Sequence, residues 1–246
     1  MEKALLWGLL TSGSLLIGAI AALRFKISHK IIGFIMAFGI GALISSVCFE
    51  LVETAFSESQ NLFSVIAGLF AGALIYFVGD LLIDKFGGKH RKNMRGAVKE
   101  NNGNVGLPIL LGTILDGIPE SLVIGMTIIG GGGVSAAMIV AVFLSNIPEG
   151  LTSTTGLLAS GWKKRSVIGL WLAVVSVSIL SAAVGYLMFA RASGATKSFI
   201  LSFAGGAILT MLADTMVPEA YRDSGKATGL VVVLGFCLAF AINTLE

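Results

Sequence analysis

The chain has 246 residues, of which 55% are hydrophobic and 13% are charged, and its mean hydropathy is +0.92. Soluble domains carry about 25% charged residues, and a soluble domain of this size could not bury so much apolar surface. This composition excludes a disordered chain, a nucleic-acid-binding protein and an ordinary soluble enzyme, and it predicts that lipid surrounds most of the chain. Both cysteines fall within apolar runs, so we expect neither a disulfide framework nor a zinc knuckle.

Eight apolar runs are long enough, at about 20 residues, to cross the roughly 30 Å hydrocarbon core of a bilayer as helices. These predicted spans, numbered first to eighth, lie near residues 4–23, 31–55, 61–84, 106–130, 133–159, 166–190, 198–220 and 227–245. The longest connection is about 85–105. We therefore predict an all-α, polytopic membrane protein that forms a single transmembrane domain over residues 1–246.

Basic residues are divided unevenly between the two sides of the predicted membrane. The connections after the first, third, fifth and seventh spans hold 14 of the 17 Lys and Arg residues, and no span holds any. Because cytoplasmic loops are enriched in Lys and Arg, we expect a multi-pass protein of the cell (inner) membrane with both termini outside the cytoplasm and the 85–105 connection inside it. The first run is too long for a typical signal peptide, so we interpret it as a retained helix.

Asp80 and Asp84 lie at the cytoplasmic end of the third span, where an interfacial acid is common. Seven further acidic residues fall within predicted spans, where no basic residue can compensate their charge. They are Glu50, Glu53, Asp116, Glu120, Glu149, Asp214 and Glu219. An ionised acid at the bilayer centre costs at least about 2.5–3.5 kcal/mol on insertion scales, so it must be protonated, hydrated or bound to a cation. Glu53 and Glu219 are equally well explained as interfacial acids at helix ends. That explanation fails for the three acids of the fourth and fifth spans, which lie near mid-span.

The fourth and fifth spans repeat an Ile-Pro-Glu sequence, first at 118–120 and again at 147–149. The fourth reads Asp-Gly-Ile-Pro-Glu-Ser over 116–121, and the fifth reads Ser-Asn-Ile-Pro-Glu-Gly over 145–150. In each motif the first residue and the Glu are four positions apart and share one helical face. Because a helix rises by about 1.5 Å per residue, we expect Asp116 at the depth of Glu149, and Glu120 at the depth of Ser145.

The prolines of these motifs add a second kind of oxygen. Pro119 and Pro148 remove the helical hydrogen bonds to the carbonyls of Leu115 and Leu144. A carbonyl oxygen freed beside a carboxylate is a ready ligand for a cation. Two proline kinks with unrelated acids would explain neither the repetition nor the matched depth.

A longer repeat relates the second and seventh spans. Residues 34–55 align without a gap to 199–220, with 7 of 22 positions identical. These spans are five apart and therefore point in opposite directions. Inverted repeats are common in secondary transporters, with sites near the membrane midplane, so we predict a 3+2+3 arrangement with an inverted repeat of helices 1–3 and 6–8.

The paired motifs resemble those of the ZIP (Zrt-, Irt-like protein) family of divalent metal-ion transporters. That family usually carries His-Asn-x-Pro-Glu-Gly on its fourth helix and a His/Gln-x-x-Pro-Glu-Gly or His-Glu-x-x-His sequence on its fifth. The stretches at 41–52 and 206–220 are similar to its second and seventh helices. The resemblance implies an elevator-like cycle, in which a unit containing the fourth and fifth helices moves against a scaffold. It implies one metal site of Asp116, Glu120, Ser145 and Glu149, and a second site that shares the two glutamates and adds Asn146.

Several residues depart from the family pattern. In the fourth span, Asp116 replaces the family's His and Gly117 replaces its Asn. In the fifth span, Ser145 replaces the family's His or Gln. The sixth span has Ser178 or Ser181 where the family often has a Glu. Imidazole suits zinc, whereas carboxylate and hydroxyl oxygens suit manganese and other hard ions. We therefore expect a preference shifted towards manganese or iron(II), with zinc retained as a candidate, and a second site that is weak or absent.

Three of the four remaining intramembrane acids are assigned to the transport path. They are Glu50, Asp214 and Glu219. The metal ion would be the substrate, and no prosthetic group is expected. The expected partners are divalent ions and the lipid bilayer, with no nucleic acid, and Gly-rich helices would permit a homodimer.

Three other functions remain open on sequence grounds. A ZIP-fold protein could have lost zinc transport and carry or sense another cation. An intramembrane aspartyl hydrolase would use Asp80 and Asp116, but residues 77–80 read Phe-Val-Gly-Asp and lack the first glycine of the usual Gly-x-Gly-Asp signature. A structural membrane protein offers no reason for three carboxylates at mid-span.

Overall fold

The computed structural model describes residues 1–85, 106–128 and 135–245. Within these ranges the protein is helical and contains no strand, as the all-α prediction requires. The predicted connection at 85–105 lies almost wholly outside the described residues, as does the predicted junction of the fourth and fifth spans. The helices are α1 (Glu2–Arg24), α2 (His29–Ser59), α3 (Leu62–Lys85), α4 (Gly106–Thr127), α5 (Ala136–Ala159), α6 (Lys164–Arg191), α7 (194–224) and α8 (Thr228–Leu245).

Seven helices in the described ranges are long and apolar enough to cross a membrane. The last of these, Gly194–Leu245, is 52 residues long and contains both α7 and α8. A short 3₁₀ turn, Gly225–Ala227, separates the two, and Gly225 has a φ of +70°. Large apolar side chains stay exposed on the outer surface, among them Phe63, Phe70 and Leu230. These features are those of a multi-pass membrane protein, while the division into eight spans stays a prediction.

The closest packing divides the helices into two groups. We call α1, α4, α5 and α6 the first group, and α2, α3, α7 and α8 the second group. In both groups, glycines bring backbones into direct contact. In the first group, a methyl group built on Gly18 would lie 2.1 Å from the Ile147 carbonyl oxygen, and one on Gly150 would lie 2.2 Å from that of Leu15. No side chain fits between α1 and α5 at these positions.

The contact between α4 and α6 has the same form as the contact between α5 and α1. A methyl group on Gly125 would lie 1.9 Å from the Ala182 carbonyl oxygen, and one on Gly185 would lie 2.2 Å from that of Leu122. Each helix pair thus exchanges two glycine-to-carbonyl contacts. The positions that correspond, with the α4–α6 residue given first, are Gly125 and Gly150, Leu122 and Ile147, Ala182 and Leu15, and Gly185 and Gly18.

The second group shows the same correspondence. The α2–α8 contact places Gly41 against Val232 and Gly235 against Phe38, and the α7–α3 contact places Gly206 against Leu69 and Gly72 against Phe203. The alignment of 34–55 with 199–220 pairs the α2 and α7 members of these contacts with each other. The second and seventh helices therefore use aligned residues to pack against their neighbours.

A distortion of the helix recurs at aligned positions. A π-helical turn interrupts α2 at Val47–Val52, and another interrupts α7 at Leu212–Met216. The same alignment of 34–55 with 199–220 pairs Val47 with Leu212, where the two turns begin. Both the packing and the backbone irregularity are thus repeated in the segments that the sequence analysis aligned.

Candidate functional site

The motif of α4 places two acids inside the protein. Asp116 is 6% exposed and Glu120 is 3% exposed, and one helical turn separates them. The helix continues through Pro119. Asp116 is ten positions from Gly106, so it lies about 15 Å along the helix axis from the start of α4. Both acids are therefore in the middle part of a helix that is long enough to span the membrane.

A tyrosine of α3 contacts the first of these acids. The Tyr76 hydroxyl group donates a hydrogen bond of 2.5 Å to Oδ1 of Asp116. Tyr76 precedes the end of α3 by nine positions, and Asp116 follows the start of α4 by ten. The two residues therefore lie at similar distances from the helix ends that the predicted 85–105 connection joins, and the bond is consistent with the depth predicted for Asp116.

The motif of α5 places polar side chains of a different kind in the interior. Ser145 and Asn146 are buried, whereas Glu149 is half-buried with its Oε1 atom shielded from solvent. The Ser145 hydroxyl donates to the Val142 carbonyl at 3.0 Å, and the Asn146 amide donates to the Thr11 carbonyl of α1 at 3.2 Å. The Ser145 hydroxyl and one N–H of the Asn146 amide thus donate within the first group, and the oxygen atoms of both side chains can act as acceptors.

The carboxyl groups of the two motifs interact electrostatically. Glu149 and Asp116 are both near enough to Glu120 to oppose its negative charge. In the described ranges, however, no three His, Cys, Asp or Glu side chains are arranged closely enough to hold a metal ion by themselves. Like charges held together in a dry interior are stabilised by a cation. A metal site here would have to draw on neutral oxygens as well as carboxylates.

Neighbouring helices approach both motifs through glycine. A methyl group on Gly39 of α2 would lie 3.1 Å from the Ser145 Cα atom. A methyl group on Gly117 would lie 3.4 Å from Oγ of Ser178 on α6. Ser181 instead donates to the Val177 carbonyl of its own helix at 2.9 Å. Of the two serines considered for the sixth helix, Ser178 is the one that faces the α4 motif.

The three acids assigned to the transport path lie in different surroundings. Glu50 belongs to the π turn of α2 and both of its carboxyl oxygens are buried. Asp214 belongs to the π turn of α7 and is exposed. Glu219 forms an ion pair of 3.4 Å with Arg222, one turn further along α7. This pair suits the interfacial interpretation of Glu219, and a transport role for the three acids stays a prediction.

Sequence reasoning missed several polar side chains that are buried in the structure. Tyr76 and Thr11 carried no signal, because a single tyrosine or threonine in an apolar helix matches no motif. Asp80, which we expected at the membrane interface, is buried against other helices. Ser45 and Ser46, which precede the π turn of α2, are buried with hydroxyl groups that make no hydrogen bond in the described part of the chain.

Comparison with known proteins supports a transporter at a coarse level. The chain matches no model of a protein family. It is 24% identical over 166 residues to a protein of Arabidopsis thaliana named "Putative zinc transporter", and the alignment covers 66% of this chain. The aligned part is 26% of that relative, so the chain spans about a quarter of the length of the curated protein it matches. This similarity supports metal transport in general terms and is distant.

Proposed function

We propose that the chain is a ZIP-type divalent metal-ion transporter whose substrate site lies between α4 and α5. The observation that carries this proposal is the burial of Asp116 and Glu120 beside Glu149, in spans that contain no Lys or Arg. Carboxylates buried together inside a membrane protein are stabilised by a bound cation. The distant similarity to a protein named as a zinc transporter supports the same conclusion.

The ligands we assign are oxygen atoms from both motifs. Asp116, Glu120, Ser145 and Glu149 form the main site. Asn146 belongs to a second, weaker site that shares the two glutamates. Because this set contains carboxylate and hydroxyl oxygens and no imidazole, it favours manganese or iron(II) over zinc.

The architecture we propose has eight crossings in a 3+2+3 arrangement. A continuous helix of 52 residues would be about 78 Å long, more than twice the hydrocarbon thickness. The turn at Gly225 therefore separates a seventh crossing from an eighth. The matched glycine contacts and π turns of the two halves support an inverted repeat of helices 1–3 and 6–8 around α4 and α5.

The two packing groups suggest how transport occurs. The first group holds the candidate ligands, and backbone contacts at glycine make it a compact unit. We propose that this group moves as one body against the second group in an elevator-like cycle. The metal would then be exposed to each side of the membrane in turn while its ligands stay on the moving group.

Metal uptake by the purified protein in liposomes tests the proposal. The panel should include Mn²⁺, Fe²⁺ and Zn²⁺, with the wild type compared with Glu120→Ala and Glu149→Ala. We expect both variants to lose uptake, because each removes a carboxylate that faces the ion. Glu58→Gln, which changes an exposed glutamate at the end of α2, is the matched control and should transport normally.

Two results would contradict the proposal. The first is a wild-type protein that moves none of the metals and binds none at micromolar concentration. The second is normal uptake by Glu120→Ala. If the wild type binds a metal tightly but does not move it, the protein is instead a ZIP-fold binding protein that senses the ion.

A further inference from the structure

Tyr76 links the two groups of helices at the candidate metal site. Its side chain is 1% exposed, and its hydroxyl donates to Asp116 Oδ1 across the boundary between α3 and α4. Phenylalanine would fill this space equally well and would need no hydrogen-bond partner. The hydroxyl group is therefore the feature that requires an explanation.

Each end of this hydrogen bond is anchored in a different group. On the side of Tyr76, methyl groups built on Gly68 and Gly72 would clash with the α7 backbone, so α3 is fixed to the second group. On the side of Asp116, Gly125 fixes α4 to α6 within the first group. Movement of one group past the other would pull the hydroxyl and the carboxylate apart.

The local contact around the bond is much less tight. Gly79, one turn from Tyr76, meets α4 through the end of the Leu115 side chain, and a methyl group there would lie 3.0 Å from Leu115 Cδ1. A flexible side chain at this point can move more easily than backbone packed on backbone. The α3–α4 boundary thus combines a directional polar bond with packing that permits displacement.

We propose that Tyr76 is a positioning residue of the metal site, which holds the Asp116 carboxylate in its ligating direction in this state and releases it when the first group moves. The inference rests on the proposed function. A carboxylate has about four acceptor positions, so one hydroxyl donor and one cation can share it. Hydrogen bonds to charged groups are the stronger kind, so the hydroxyl can fix the carboxylate before the ion arrives.

Tyr76→Phe removes the hydroxyl group and keeps the ring. A hydrogen bond to a charged group contributes enough to alter an affinity about tenfold or more. We expect the KM for the preferred divalent ion to rise by about tenfold in liposome uptake, while the maximal rate does not fall, since the movement no longer has to break this bond. Tyr221→Phe makes the same chemical change at an exposed position and should leave both parameters unchanged.

A double-mutant cycle separates positioning from general packing. If Tyr76 acts through Asp116, Tyr76→Phe should produce little further change in metal binding when added to Asp116→Asn. An undiminished effect in that background would overturn the inference, as would a wild-type KM in Tyr76→Phe. Failure of the wild type to transport any metal would instead refute the proposed function.

A second route avoids dependence on the recovery of folded Tyr76→Phe protein. The chain has three tyrosines, so the double variant Tyr186→Phe/Tyr221→Phe leaves Tyr76 as the single site for 3-fluorotyrosine. Fluorination makes the hydroxyl a stronger donor at nearly constant volume. The KM should then shift in the direction opposite to that of Tyr76→Phe, and an unchanged KM would contradict the inference.

Discussion

Gly150, the last residue of the α5 motif, permits the backbone contact between α5 and α1. A methyl group at this position would lie 2.2 Å from the Leu15 carbonyl oxygen and 3.0 Å from the Leu15 Cα atom, whereas ordinary contact begins at 3.4 Å. Gly150→Ala therefore requires the two backbones to separate by about 1 Å before the carbonyl oxygen is at a van der Waals distance. The neighbouring Glu149 and the Asn146–Thr11 hydrogen bond lie close to this contact and would be displaced with the helix.

The size of the effect follows from packing. Adding a methylene-sized group to a well-packed interior costs about 1–3 kcal/mol, and here neither contacting atom can rotate away because both belong to main chain. The gain in helix propensity from glycine to alanine offsets at most about 1 kcal/mol. We expect a net loss of about 2 kcal/mol, or a fall in Tm of roughly 4–8 °C, together with a large loss of metal uptake.

Thermal unfolding in detergent and uptake in liposomes measure these two effects. Gly13→Ala and Gly169→Ala are matched controls, because both glycines lie within helices and have no atom within 4 Å of the added methyl group. These controls should be as stable as the wild type or slightly more stable. Gly125→Ala makes the corresponding change in α4 and should resemble Gly150→Ala. A Tm for Gly150→Ala equal to that of the controls would refute the packing explanation.

Three further variants test separate parts of the proposal. Asp116→His should shift selectivity in uptake towards Zn²⁺, because imidazole suits zinc; an unchanged preference would count against Asp116 as a ligand. Asp80→Asn should retain metal uptake, and its retention would dismiss an aspartyl dyad, whereas loss of uptake would give Asp80 a role that we have not assigned. Trp171→Phe removes a buried 2.7 Å hydrogen bond to Thr154, and should lower stability by about 1–3 kcal/mol without altering the order of metal preference. An altered order would show that this contact shapes the site.

The helical fold was predictable from composition because apolar runs and the distribution of basic residues act along the whole chain. The repetition of 34–55 at 199–220 was also visible, and the structure shows glycine contacts and a π turn in both copies. The π turns themselves were not predictable, since residues 47–52 and 212–216 have no sequence feature that distinguishes a π-helical turn from an α-helical one. The 3₁₀ turn at Gly225–Ala227 falls where Ser, Gly and Lys interrupt the apolar run.

The sequence located acids that the structure buries, but not the groups that contact them. Asp116 and Glu120 are both buried, while the membrane depth that residue counting assigns to them stays a prediction. The donor from Tyr76 was invisible, since the rotation of α3 about its axis depends on tertiary packing at Gly68 and Gly72. The burial of Asp80 was missed for the same reason: distance from a helix end does not say which face meets a neighbour.

Two different relations between α4 and α5 explain why the candidate site is asymmetric. In the glycine contacts Gly125 corresponds to Gly150, an offset of 25 residues. In the repeated sequences Glu120 corresponds to Glu149, an offset of 29 residues. The two offsets differ by four residues, or about one helical turn. The packing relation pairs Glu120 with Ser145. If the motifs had the same offset as the glycine contacts, the glutamate of α5 would stand at position 145. It would then face Glu120 at the same depth, with no basic residue between the two carboxylates.

The one-turn shift instead puts Glu149 at the predicted depth of Asp116 and the Ser145 hydroxyl at the predicted depth of Glu120. Each predicted level then pairs two side chains that differ in length or charge, although the glycine contacts of α4 and α5 correspond to each other. In the site that we propose, a bound ion would therefore meet different oxygen ligands from the two helices.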